Sequence, residues 1–409
     1  MVSNQANANG PSVARKALFF GDMPYVWVGV AVFSGLYIYL DLNKLYALRF
    51  GMDLGVFLQS LVNFAHTGST FNWVERQPHL TVHDSWALLA LTPLVALFPR
   101  PETLLVVQVL VVAGAAIPLY VFARGCGLAS MPAQLVALAY LISPSVQGWA
   151  YMDFSENVFV PVLAFSLAIA LQRRSLVWTL VFAQLLMGIK EDQIWFLAWF
   201  ATAAALWYDR RLGLAMLALA MINAVAYYGI VHALGYVPAQ PRYVSVPSTV
   251  PQDLAFFAEV LAPFAFAPLA LGWRILLAAP LIVEITFTAP WAYPLARAGT
   301  HWTVPLVTLI ALGAAIAIAQ RPAWASWAIG CSIVMALFFN VTVLHLGRHL
   351  YPRDTAGYAQ ARAVALSGRR AVYTADDEGA FVVASPNVHA ELIDRSAPRR
   401  HPKPEWITR

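Results

Sequence analysis

From residue 24 to residue 345 the chain is a succession of apolar runs, most of them 16–23 residues long, separated by short polar turns. A helix of about 20 residues crosses a hydrocarbon core about 30 Å thick, and a helix satisfies its own backbone hydrogen bonds there. The pattern predicts eleven spans, over 24–42, 102–123, 131–149, 157–172, 176–189, 193–208, 212–232, 254–271, 275–290, 302–319 and 323–345. The run SWALLALTPLVALF, 85–98, is bounded by Asp84 and Pro99 and is too short to cross, so it reads as an interfacial or re-entrant helix. No short apolar leader with a small-residue cleavage site precedes the first run, which therefore reads as a retained signal anchor. The expected fold class is an all-α polytopic membrane protein: an N-terminal segment 1–23, a transmembrane domain 24–345 and a polar tail 346–409. In the tail, AVYT and FVVA alternate as strands do, which predicts a short α/β appendage, and its Pro- and Arg-rich end has the composition of a disordered segment.

Composition agrees: 60% of residues are hydrophobic and 11% charged, against about 25% charged in a soluble domain. The charges that remain sort by side. Lys and Arg favour cytoplasmic loops, and placing Arg15 and Lys16 there puts Arg124, Arg173, Arg174, Arg210, Arg211, Arg274 and Arg321 on the same side. The opposite side then receives Asp53, Asp84, Glu102, Asp153, Glu156, Glu191, Asp192 and Asp253, with the C-terminal tail. The net charge of +5 thus concerns topology and lipid headgroups rather than nucleic acid. Cys126 and Cys331 are too far apart in sequence to suggest a disulfide framework or a Cys-based metal site.

Three charged stretches interrupt the apolar chain on the acidic side. Residues 48–67 predict a surface helix on which Arg49, Asp53, Ser60, Asn63 and Thr67 share one arc, with Val56 the one apolar member. Asp53 then faces a polar space; the alternative is an ordinary amphipathic interfacial helix with its acid in water. In YMDFSEN, 151–157, Asp153 and Glu156 are three apart and close enough to share a site. In MGIKEDQIW, 187–195, Lys190, Glu191 and Asp192 are consecutive. At mid-membrane each would cost about 2.5–3.5 kcal/mol, so they require a wet cavity, mutual pairing or a turn at the boundary. His79 and His83 stand four apart beside Asp84, on one face of a helix, where they are candidates for a divalent metal or for hydrogen bonding in the same cavity. His301 opens a later span on the same side, and Glu259 and Glu284 lie inside predicted spans.

Taken in order, DLGVFLQSL (53–61), HDSWALLALTPL (83–94), TLLVVQ (103–108), AAIPLY (115–120), ALAYLISPSVQG (137–148), Asp153-Phe154 and KED (190–192) resemble the family of bacterial membrane proteins known as domain of unknown function 2079. That family is in turn similar to the GT-C glycosyltransferases. The resemblance implies a multi-pass protein of a bacterial inner membrane, with interfacial helices in the first outer loop and an extracytoplasmic active site. It also implies a donor sugar carried on polyprenyl phosphate and an inverting transfer; the sequence names no cofactor and leaves a divalent metal open. By the GT-C pattern Asp53 takes the place of the general base and Asp153 that of a further catalytic acid. Lys190 is the matching phosphate ligand, with Glu191, Asp192, His83, Glu156, His301 and Arg49 shaping the cavity. One departure stands out: the family's Asp-Phe-His-Pro-Glu reads Asp153-Phe154-Ser155-Glu156-Asn157 here, so a histidine is missing and the glutamate is displaced. Two rival functions remain. A lipid or small-molecule transporter or flippase would need charges along a path open to both sides, and a non-catalytic scaffold of envelope assembly would tolerate neutral residues at 53 and 190.

Overall fold

The computed structural model describes residues 20–47, 50, 52–72, 74–236, 249–287, 300–338 and 350–351, with strand backbone at 371–376, 379–383 and 391–393. Arg15, Lys16, Arg49 and most of the tail lie outside the described residues. The described chain is helical apart from a two-residue hairpin, β1 (Phe71–Asn72) with β2 (Gln77–Pro78), and an antiparallel sheet β3 (Ala371–Asp376), β4 (Gly379–Val383), β5 (Glu391–Ile393).

Among the described residues, five helical stretches are long and apolar enough to cross a membrane: Pro24–Tyr46 (α1), Pro101–Gly125, Arg210–Ala233, Ala267–Thr286, which is kinked at Gly272, and His301–Gln320. The other apolar helices are shorter, so length and composition alone support five of the eleven expected spans. Two predicted runs are broken by proline. Ser143, with ψ 132°, is driven out of the helical region by the ring of Pro144, and this splits 131–149 into α7 (Ser130–Ile142) and α8 (Pro144–Tyr151). Likewise α13 (Val250–Leu261) gives way to 3-10 turns around Pro263 and Pro268, with Ala265 and Phe266 in the left-handed region.

What positions the site is α2 (Met52–Thr67). Leu54, Phe57, Leu58 and Leu61 are buried with Leu88, Val95, Leu104, Leu105 and Phe154 in a hydrophobic core separate from the main one. Each such side chain contributes about 1.5–3 kcal/mol of burial. The 85–98 run forms a 3-10 turn (Trp86–Leu91) followed by the short helix Thr92–Leu97, and it seals this core. The polar arc expected to face an open polar space is mostly satisfied internally. The Asn63 amide donates to the Phe71 carbonyl at 2.6 Å, and the Asn72 amide to Ser60 Oγ at 3.2 Å, so the arc holds the hairpin against α2.

α9 (Val160–Gln172), α10 (Leu176–Met187), α11 (Asp192–Trp207) and α12 (Arg210–Ala233) follow through short turns. Gly213 lets α12 approach α11 closely, because a Cβ there would lie 2.2 Å from the Ala205 backbone nitrogen. The Asp209 carboxylate caps α12 by accepting the Leu212 N–H at 3.1 Å.

Candidate functional site

Three chain segments, around residues 53, 153 and 190, converge over the end of the bundle where α2 begins and α11 starts. Asp153 serves a structural end there. Its carboxylate accepts the backbone N–H groups of Asp53 and Leu54, each at 3.1 Å, and of Phe154 at 3.0 Å. It is thus an N-cap supplied from a distant loop, satisfying donors that the first turn of α2 cannot satisfy itself. Burial pushes its pKa up, Lys44 and the three N–H groups pull it back, and the result is about 6. Lys44, near the end of α1, donates to the Tyr151 carbonyl at 3.0 Å and stands 4.3 Å from the Phe50 ring centroid.

Glu191 is 2% exposed and fully engaged. Its oxygens lie 3.0 and 3.2 Å from His83 Nδ1, and it accepts the Asp84 N–H at 3.2 Å. Burial raises its pKa, but the His83 hydrogen bond and the charges of His83 and Lys190 outweigh that and hold it at about 2. The second imidazole has a different partner: His79 Nδ1 lies 2.9 Å from Glu75, and the two histidine rings meet edge on at 5.6 Å. Among the described residues no three His, Cys, Asp or Glu side chains group as a metal site. The donor set therefore reads as two imidazole–carboxylate pairs.

Lys190 is buried between Glu156, at 3.7 Å, and Asp192, at 3.9 Å, with its ammonium 4.8 Å from the Trp302 ring centroid. Both separations exceed the roughly 2.7–2.9 Å of a direct charge-assisted hydrogen bond, so the cation stands between two acids at ion-pair distance. His301 packs on Trp302 at 5.0 Å and lies within electrostatic reach of Glu156, while Glu284 lies within reach of Asp192, Lys190 and Glu191. Gly188 makes the tight approach beneath this turn possible. Its carbonyl accepts the Ala87 N–H at 2.8 Å, and a Cβ on it would lie 2.3 Å from the Trp86 indole.

Two carboxylates of the cluster, Asp53 and Asp84, have no hydrogen-bond or ion-pair partner among the described residues. Asp53 faces the middle: burial, then the charges of Asp153, Glu156 and Glu75, push it up to about 8, partly offset by His83. Asp84 lies at the margin, where burial and Glu191 raise it to about 7. The cluster thus holds two unengaged carboxylates, Asp53 and Asp84, and one buried cation, Lys190, between Glu156 and Asp192.

A family model described as predicted membrane protein (DUF2079) matches residues 44–248, half of the chain. The chain belongs to this family. The DUF2079 match takes in Asp53, the histidines, Asp153, Glu156 and residues 190–192, and it ends before Glu284, His301 and Trp302. No curated protein matches the chain.

Of the residues singled out from sequence, Asp53, His79, His83, Asp153, Glu156, Lys190, Glu191, Asp192 and His301 fall in this one region, and Arg49 lies outside the described residues. Sequence reading missed Glu75, Lys44, Asn72, Trp302 and the freedom of Asp84. Glu75 was within reach, since it stands four residues before His79 in ERQPH. Nothing local marks Lys44 or Trp302 as part of the site, since Lys44 meets Tyr151 and Trp302 meets Lys190 across more than 100 residues.

Proposed function

We propose that this protein is a GT-C-like glycosyltransferase of a bacterial inner membrane, working on the extracytoplasmic face with a sugar carried on polyprenyl phosphate. The observation that carries the reading is the unengaged Asp53 carboxylate, raised to about 8, in a site whose other central acids already have partners. A general base is most effective with a pKa near the working pH.

In this reading Asp53 accepts the proton of the acceptor hydroxyl as its oxygen attacks C1 of the sugar. The bond from C1 to the phosphate oxygen breaks on the opposite face, and the electron pair leaves with the lipid phosphate. The product has inverted configuration at C1. Lys190, between Glu156 and Asp192, stabilises the charge growing on the phosphate. Asp153 is a positioning residue, because it holds the first turn of α2 and with it Asp53.

Comparative lipid and glycan analysis tests the reading. The host gene is deleted and rescued with wild type or Asp53→Asn, and envelope glycoforms and lipid-linked sugars are measured. Loss of one glycoform, with accumulation of its lipid-linked sugar and rescue by wild type alone, is the expected result. Full rescue by Asp53→Asn would remove the base and move the reading to a transporter or scaffold.

A further inference from the structure

At the other end of α11 the chemistry reverses. A cavity of about 570 Å³ lies between α9, α11, the 3-10 segment Ala267–Ala278 and the helix Val304–Gln320 (α15). Its walls are almost wholly apolar, with Ala164, Leu167, Phe200 and Leu271 typical. Gln193 lines one end, while Trp207, Tyr208, Trp273 and Arg274 line the other. From Gln193 to Trp207 α11 rises about 21 Å, more than the roughly 15 Å that one leaflet contributes to a hydrocarbon core.

The two ends differ in charge. At the Gln193 end the side-chain amide donates to Asp192 Oδ1 at 2.9 Å, and Glu284 and Glu191 stand near Asp192. At the other end Arg274 is exposed and has no hydrogen-bond or ion-pair partner among the described residues. The same holds for Arg173, which directly follows the cavity residue Gln172, and for Arg210 and Arg211, which follow Tyr208. The nearest acid in sequence, Asp209, is occupied in capping α12. Trp207 and Trp273 meet edge to face at 5.1 Å, and Gly272, with φ 61°, turns the chain so that Trp273 and Arg274 follow at the mouth. Exposed tryptophans beside unpaired arginines are the composition of a membrane–water interface.

We infer that this cavity is a binding site for one anionic phospholipid, with an acyl chain along α11 and the phosphate against Arg274. The lipid belongs to the leaflet opposite the charged cluster. Its binding is independent of the transfer reaction proposed above, since it shares no residue with that site. Guanidinium suits the phosphate by forming two parallel hydrogen bonds, and the aromatic pair flanks the glycerol region.

The test is lipid retention by purified protein. Wild type, Arg274→Gln and Ala168→Trp are reconstituted in nanodiscs holding equal phosphatidylglycerol and phosphatidylcholine, re-extracted in mild detergent and weighed by native mass spectrometry. Wild type is expected to keep about one phosphatidylglycerol per chain, with Arg274→Gln retaining about fivefold less, the effect of losing one cation near an anionic headgroup. Ala168→Trp should exclude the lipid by filling the wall. Because Arg274 is exposed, its variant tests the site even if Ala168→Trp fails to fold. Glycerol phosphate at millimolar concentration should not displace the lipid, since the acyl chain supplies the larger contact. Equal retention of both lipids by wild type, or unchanged phosphatidylglycerol in Arg274→Gln, would overturn the proposal.

Discussion

The two ends of α11 show how one chain treats buried polarity in opposite ways. Around Asp192 nearly every charge is brought into contact with another: Glu191 with His83, Glu75 with His79, and Lys190 between Glu156 and Asp192. Around Trp207 the arginines stay at the surface, and the interior behind them is apolar and open as a cavity. A dense set of paired charges fixes geometry, because each pair restrains two chain segments at once. An apolar cavity fixes little and accepts a flexible chain. The chemistry of the protein is therefore sought at the first end and lipid contact at the second.

Neutralising the unengaged base breaks the comparison most sharply. Asp53→Asn should lower transfer by about 10²–10⁴-fold, the usual contribution of a general base, while the fold is retained because the carboxylate makes no hydrogen bond. It should also change the pH dependence of stability. A carboxyl raised to about 8 in the folded protein, against about 3.9 unfolded, takes up a proton on folding between these two values. Its stabilising effect is complete below about pH 4 and is lost as pH rises through 8. Thermal unfolding of Asp53→Asn between these limits should therefore show a flatter pH profile than wild type. Glu191 has the opposite sign: held at about 2, it stabilises above its unfolded value and loses that effect as pH falls towards 2.

The pairing itself is the next target. His83→Ala leaves Glu191 buried without its imidazole, and breaking a buried pair from one side costs about 3–5 kcal/mol. Chemical unfolding in micelles should show that loss, and it should shrink when Glu191 is replaced by Leu in the same protein. Asp153→Ala removes the cap of α2 and should cost about 2 kcal/mol, at the upper end for helix caps, with activity falling because Asp53 shifts. The smallest effect is expected from Gly188→Ala, about 1–2 kcal/mol, as the Trp86 indole moves aside for the new methyl group.

Much of this site was legible because a charge in an apolar chain is costly enough to stand out. Asp53, Asp153 and KED could be picked from their neighbours alone. Their roles could not. Whether Asp153 is a second acid or a helix cap depends on a fold that places residue 153 on the first turn of a helix 100 positions earlier. The polar arc of α2 was visible, yet its meaning changed once the 71–78 hairpin supplied partners to Ser60 and Asn63. Apolar runs were likewise visible, while their interruptions at Pro144, Pro263 and Pro268 turned two expected crossings into shorter helices.

The most direct test of the account is an infrared titration of the carboxyl groups in nanodiscs, comparing wild type with Asp53→Asn and with Asp84→Asn. The account predicts a protonated-carboxyl band in wild type that persists at neutral pH, disappears near pH 8, and is absent from Asp53→Asn but retained in Asp84→Asn. A wild-type difference spectrum in which the Asp53 band is already gone at pH 5 would contradict it. Asp53 would then be an ordinary solvated acid and not the base around which the cluster is built.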